Sequence, residues 1–512
     1  MPTSHLSVAA DNLIDNPDQE ELRRLTGAMP NARLTEYGNY NIKTRVVARS
    51  VRSTFIVDDD PGAHSFPCIG LDEGERIAHL QDDYIKGREM VAIDGYIGND
   101  ADFRVPTRLL MEAANANVAA MQQILYFDPE PKPESPQLTV IYTPNLAVEG
   151  YPDERCIAVY LDQGVTRVCN SDYFGESKKG GLRMWNKIVY DRGGLALHAG
   201  CKVIPVDDRR VVGLVIGLSG TGKTTTTFTR QNHSLPVQDD FVALMPDGRV
   251  YASEDGCFAK TLGLGPEEQP DIYYASIKPD AYLENVAQNN GHLDFCDGSY
   301  TENGRSLFAM SSVEHAPAAE LKSADFVLFL NRNDNIIPAV VKLQGAQAAA
   351  YFMLGETKGT AAGGAAEAGK FLRIPGTNPF FPTLHAQQGN RFLELLGTVG
   401  LDVYVMNTGR VGGDDSDERS RKVKIRHSSA IVQAIAEGTI SWETDPDFGY
   451  QAATHVPGID GEDELLQQPR RLYEKQGRSA EYRRLVAGVR QDRLDYLQQW
   501  PGLDTEIIEA LS

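Results

Sequence analysis

The residues 213–228, "GLVIGLSGTGKTTTTF", set one lysine between a glycine-rich run and four threonines. Gly217 to Thr224 reads G-x-x-x-x-G-K-T. Gly217, Gly220 and Gly222 are expected to adopt positive φ, so that successive N–H groups face one concavity. The helix that follows adds free N–H groups and a dipole that favour an anion. This predicts a phosphate loop in which Gly217, Leu218, Ser219, Gly220, Thr221, Gly222 and Thr225 form the cradle. Lys223 reaches the β- and γ-phosphates and the Thr224 hydroxyl ligates Mg²⁺. About fifteen residues on, "PVQDDFVAL" places Asp239 and Asp240 side by side. Two carboxylates there can hold hard divalent cations, one on the nucleotide and one on a second metal. "DYFGESKKGGLRMW" carries Lys178 and Lys179, and "LALHAGC" carries His198. Taken alone, a lysine pair reads as a solvated face and a histidine among apolar residues as a core residue; the flanking glycines and apolar approach hint at a site.

These residues need elements to hold them. "RVVGLVIG" is β-branched and supplies the strand before the loop. "LTVIYTP", "RCIAVYLD", "GLALHAGCKVIPV" and "ADFVLFLN" read as further buried strands. "FVALMPDGRVYA" reads as a hairpin turning at Pro-Asp-Gly. Residues 107–125, "TRLLMEAANANVAAMQQIL", have helical apolar spacing and good helix formers, which predicts a helix throughout. The Gly/Ala-rich 359–371 reads as a surface loop or a lid. "GGDDSDERSRK" reads as a solvated charged loop, and the tail from about 464 as charged helix. The mixture predicts an α/β fold with a mixed sheet.

Composition bounds the partners. The 512 residues carry 71 acidic and 50 basic side chains, a net charge of −21, which opposes nonspecific binding to nucleic acid or anionic membrane. No run of about 18 apolar residues suits a membrane span. The six cysteines form no C-x-x-C pair and read as reduced core residues. "MPTSHLSVAADNLIDNPDQE" has no signal-peptide pattern. Together these predict a cytoplasmic protein, monomeric or a small homo-oligomer, whose partners are small molecules.

The motifs taken together resemble the ATP-dependent phosphoenolpyruvate carboxykinase family. "GLSGTGKTT", "YFGESKKG", the QDD of "PVQDDF", "EDGCFAKTLGL", "DIYYASIKPDAYLENV", "DGSYTENGRS" and "VMNTGR" occur in the family's order from about residue 45 to 450. The resemblance implies a carboxykinase-like α/β fold, with an N-terminal substrate-side domain over 1–195, a P-loop domain over 196–512 and an active-site cleft between them. It implies decarboxylation and phosphorylation of oxaloacetate, with ATP, Mg²⁺ and Mn²⁺. Lys179, His198 and Asp240 would ligate the second metal, and Asp239 would orient water on Mg²⁺ or the ion itself. A ligating Lys179 must be neutral, which the neighbouring Lys178 and the metal favour. Arg305 would neutralise charge between enolate and γ-phosphate. Arg49 would grip a substrate carboxylate, Tyr173 would contact the released CO₂, and Lys422 and Ser428 would border the adenine.

The chain also departs from the family. "ARSVRS" stands for a G-R-S-P-K-D-like stretch, "DDFVAL" for an acidic pair followed by E-H-G-W-like residues, and "SRKVKIRHSSAI" for the adenine-side "GKRISIKDTRAI". The phosphoryl end is intact and the substrate end altered. Two further readings therefore stand beside the first: a diverged ATP-dependent phosphotransferase acting on another small acid or alcohol, and a non-catalytic nucleotide-binding regulator.

Overall fold

The structure is a computed structural model that describes residues 10–131, 135–218, 220–231, 233–318, 321, 323–359, 369–459, 461 and 464–511. Ser219 and most of the Gly/Ala-rich stretch, 360–368, lie outside the described residues. The chain forms two compact units. The first is Met1–Arg192 with Tyr251–Glu314 and Phe380–Leu384; the second is Gly193–Val250 with His315–Pro379 and His385–Ser512.

The first unit is built on an eight-stranded mixed sheet. Its strands are β1 (Asn12–Asp15), β2 (Thr54–Val57), β3 (Cys68–Ile69), β4 (Glu89–Ile97), β5 (Val105–Glu112), β6 (Leu138–Thr143), β7 (Cys156–Tyr160) and β8 (Val165–Cys169). They lie in the order β1-β4-β5-β6-β8-β7-β2-β3. Helix α1 (Ala116–Leu125) and the 18-residue α2 (Phe174–Asp191) belong to this unit, and α2 carries the lysine pair. Gly180 of α2 lets the helix approach the sheet, because a Cβ there would meet Thr166 and Val140 methyls at 3.3 Å. A second sheet sets Gly256–Lys260 and Tyr282–Glu284 on either side of Arg305–Ala309.

One expected element is divided. The helix predicted over 107–125 is a strand to Glu112 and a helix only from Ala116. The reason is a distant partner: β5 pairs antiparallel with β4, and Arg108 stands opposite Asp94 with Nε 2.6 Å from Oδ1. Local helical spacing yields to that cross-strand pairing.

The second unit is also a mixed eight-stranded sheet. It comprises β9 (Ala199–Val206), β10 (Arg209–Ile216), β11 (Leu235–Gln238), β12 (Phe326–Asn331), β13 (Val340–Leu343), β14 (Asp402–Asn407), β15 (Ser441–Thr444) and β16 (Gln451–His455), ordered β11-β9-β10-β12-β14-β13-β16-β15. Its core gathers Val215, Leu328, Met406, Ile431 and Ala453. The expected Pro-Asp-Gly turn closes with the Met245 N–H donating to the Arg249 carbonyl at 3.0 Å. The tail is helical over Pro469–Lys475 and Ser479–Gln498. Arg493 anchors it by a buried ion pair to Glu356; burial alone would raise the Glu356 pKa, but Arg493 and Arg373 outweigh it and hold it below the ordinary value. Among the described residues all six cysteines are free, as expected. Four are buried, whereas Cys68 is half-buried and Cys296 exposed, so these two are not core residues. No described helix is long and apolar enough to cross a membrane.

Candidate active site

Strand pairing gathers the second unit's chemistry at one sheet end. β9 runs antiparallel to both neighbours, with Ala199 opposite Ile216 of β10 and Cys201 opposite Gln238 of β11. His198 precedes β9, the phosphate loop follows β10, and Asp239 and Asp240 follow β11. Three segments separated in sequence therefore meet.

The loop leads into the short helix α3 (Lys223–Phe228), capped by Gly222 at φ +98. Gly220 has φ +87. Gly217 does not have the expected positive φ; its glycine is required by close approach, since a Cβ would lie 2.3 Å from Thr221 Oγ1. Thr221 closes the turn, its Oγ1 donating to the Leu218 carbonyl at 2.8 Å. Thr224 and Thr225 are half-buried on α3.

Asp240 is the hub. Its Oδ1 lies 2.7 Å from Lys223 Nζ and 2.8 Å from His198 Nε2. His198 Nδ1 is 2.9 Å from the Thr377 carbonyl, which can accept a hydrogen bond from Nδ1–H and so orients the ring with Nε2 towards Asp240. The imidazole also stacks on Phe241 at 5.0 Å. Asp239 is 5% exposed, and its Oδ1 is buried without a hydrogen-bond partner among the described residues. A buried, unpartnered carboxylate oxygen beside a second carboxylate and an imidazole fits a divalent cation. Among the described residues no group of three or more His, Cys, Asp or Glu gathers that could hold a metal by itself. In the same unit, Lys422 is exposed on a short strand and Ser428 half-buried on the helix Ile425–Glu437. That helix is tied towards the end of α3 by Gln231 Nε2 donating to Ser429 Oγ at 3.2 Å.

The first unit holds the remaining candidates. Lys178 and Lys179 are 4% and 9% exposed, which rules out a solvated face. Lys178 Nζ lies 2.7 Å from Glu254 Oε2, so its charge is countered locally. Lys179 Nζ and Arg49 Cζ sit 4.5 and 5.3 Å from the centre of the Phe380 ring. Asn303 links three others: it donates to the Tyr173 hydroxyl at 3.2 Å and to the Val47 carbonyl at 2.7 Å, and accepts from Arg305 Nη2 at 2.9 Å. Sequence reasoning missed Glu254 and Asn303, although both lie in stretches whose family likeness it recognised. Phe380 gave no signal, because its role depends on which cations fold against it.

Arg305 stands opposite Lys260 on one neighbouring strand and Glu284 on the other. Burial, followed by the Arg305 charge, lowers the Lys260 pKa to about 8. Burial raises that of Glu284 to about 8, against a smaller lowering effect of the Phe174 N–H. Glu284 is thus neutral at pH 7 and leaves the Arg305 charge available to an anion. Because the folded state holds this proton between about pH 4.5 and 8 while the unfolded state releases it, stability falls as pH rises through that window. Glu284→Gln is expected to remove that fall, gaining up to about 4 kcal/mol over wild type by pH 8 and little near pH 4.5. Melting temperatures measured at both ends check this; a pH-independent difference would contradict it.

A strand, a glycine-rich loop opening a helix, and a carboxylate pair just after a nearby strand are the features of the P-loop, phosphoryl-transfer class of proteins. The sequence profile of the phosphoenolpyruvate carboxykinase family matches residues 11–462, and the chain belongs to that family of enzymes. It is 32% identical to the phosphoenolpyruvate carboxykinase (ATP) of Aeropyrum pernix, over 84% of this chain and 86% of the relative. It is 31% identical to the enzyme of that name from Rhodopseudomonas palustris, over 76% and 74%. With that from Mesorhizobium japonicum it shares 28% over 84% and 82%. Membership implies use of ATP and a divalent metal.

Proposed function

We propose that the chain catalyses the reversible, ATP-dependent conversion of oxaloacetate to phosphoenolpyruvate, ADP and CO₂. The observation that carries this reading is the sharing of one carboxylate, Asp240, by the phosphate-loop lysine and His198 in a chain matched by the family over residues 11–462.

Each residue then has a task. The backbone N–H groups of the loop and Lys223 hold the β- and γ-phosphates, with Lys223 exchanging Asp240 for phosphate oxygens. Lys422 and Ser428 border the adenine. Thr224 and Asp239 would hold Mg²⁺, and Lys179, His198 and Asp240 would hold Mn²⁺. Bound there, the cations would supply Lewis-acid stabilisation of the negative charge that develops on the enolate and γ-phosphoryl oxygens. Arg49 clamps a carboxylate of oxaloacetate. As the bond to the departing carboxylate breaks, its electron pair passes into the enolate and CO₂ leaves beside Tyr173. Arg305, with its charge not cancelled by neutral Glu284, lies against the enolate oxygen as it attacks the γ-phosphorus and displaces ADP. Lys178, paired to Glu254, fixes the turn of α2 that presents Lys179.

Arg49→Gln tests the substrate assignment. It is expected to lower kcat/KM for oxaloacetate by roughly 2–4 kcal/mol in transition-state terms, the cost of losing a charge-assisted contact, with the KM for ATP nearly unchanged. Equal losses on both substrates would indicate a folding defect and remove Arg49 from the site.

A further inference from the structure

Arg183 lies one helical turn beyond Lys179 on α2 and is 3% exposed. A guanidinium offers five N–H donors. Here Nη2 pairs with Glu176 Oε2 at 3.2 Å, while Nε and Nη1, which carry three of the five donors, are buried with no hydrogen-bond partner among the described residues. Unpaired buried donors on a charged group are costly to keep and need a reason. Arg183 Cζ lies 5.7 Å from the centre of the Phe380 ring, the same ring that Lys179 and Arg49 approach. Two guanidinium groups and one amine thus converge on one aromatic ring. A π-face attracts cations but offers no lone pairs, so a carboxylate is the stronger partner wherever it can enter. The site is also braced: Glu176, fully buried, accepts the Ser50 N–H at 2.6 Å, which ties Arg183 through one carboxylate to the loop bearing Arg49. Arg52, the other arginine of that loop, is 81% exposed and approaches Asp153 at 3.8 Å, so the second guanidinium available to the cluster comes from α2.

We propose that Arg183 is a second carboxylate-binding guanidinium, acting with Arg49, and that it selects a dianionic substrate over a monoanion. This rests on the carboxykinase reading, and it places in α2 a specificity determinant that the altered "ARSVRS" loop does not supply.

The test uses malonate as the dianion and propionate as the monoanion. Their binding to the full-length protein is followed by calorimetry or thermal shift, alongside oxaloacetate turnover. Arg183→Gln is expected to weaken malonate about 10–100-fold, as for loss of a charge-assisted bond, and propionate by less than about threefold. The KM for oxaloacetate should rise with the malonate constant, and that for ATP should not move. Arg183→Lys, which keeps the charge and loses the fork, should fall between wild type and Arg183→Gln. Should Arg183→Gln fail to fold with Glu176 left unpaired, the double variant E176Q/R183Q removes the pair together and is expected to show the same loss of dianion preference. An unchanged malonate-to-propionate ratio in Arg183→Lys and in whichever neutral variant folds overturns the proposal. A normal ratio shift in a protein that never turns over oxaloacetate leaves Arg183 as a dianion anchor and overturns the carboxykinase reading instead.

Discussion

Lys223→Ala is expected to lower phosphoryl transfer by at least about 10³-fold, because it removes a preorganised cation from the charge that moves between nucleotide and acceptor. The side chain is 8% exposed, and Nζ lies 2.7 Å from Asp240 Oδ1. No water-exposed lysine could replace it at comparable strength, since low dielectric is what makes the contact strong. The variant also leaves Asp240 with one fewer cation, so Lys223→Met, which keeps more of the buried stem, separates packing from charge. Both variants should lose turnover alike and retain a melting transition close to wild type. Turnover within tenfold of wild type in either one would remove this loop from the phosphate site.

The second large effect is expected at His198. Replacing it with alanine should abolish stimulation by Mn²⁺ and lower turnover by about 10²-fold or more, while ATP affinity stays nearly unchanged. The imidazole reaches Asp240 through Nε2 and is oriented by the Thr377 carbonyl through Nδ1. A histidine that only filled the core would not need an oxygen at each nitrogen. Titration of the nucleotide-free protein with Mn²⁺ reads the site without catalysis. An unaltered Mn²⁺ isotherm in His198→Ala would make His198 a packing residue and leave the second metal without its ligand set.

The tight glycine turn and the helix after it were legible in sequence because their signal is local: closely spaced glycines, one lysine and a hydroxyl within eight residues. The DD pair and the histidine could be named but not joined from their spacing, since their meeting depends on β9 lying between β10 and β11. Residue 217 had to be glycine for a reason other than the expected one, the close approach of Thr221. The segment 107–112 misled for a similar reason: its apolar spacing suits a helix, and only the Asp94–Arg108 register makes it a strand. Arg183 was visible as a letter beside the lysine pair, but its unpartnered nitrogens and its place on the Phe380 ring are products of packing.

The central claim is that one site couples loss of CO₂ to transfer of the γ-phosphoryl group. Its most direct test is incubation of the purified protein with γ-phosphorus-labelled ATP, oxaloacetate, Mg²⁺ and Mn²⁺, with labelled phosphoenolpyruvate and CO₂ measured separately above the metal-catalysed background. The account predicts one labelled phosphoenolpyruvate for each CO₂ and each ADP, with all three lost together in Lys223→Ala. Release of CO₂ at the background rate with no labelled phosphoenolpyruvate, or label passing to a different acceptor, would contradict it.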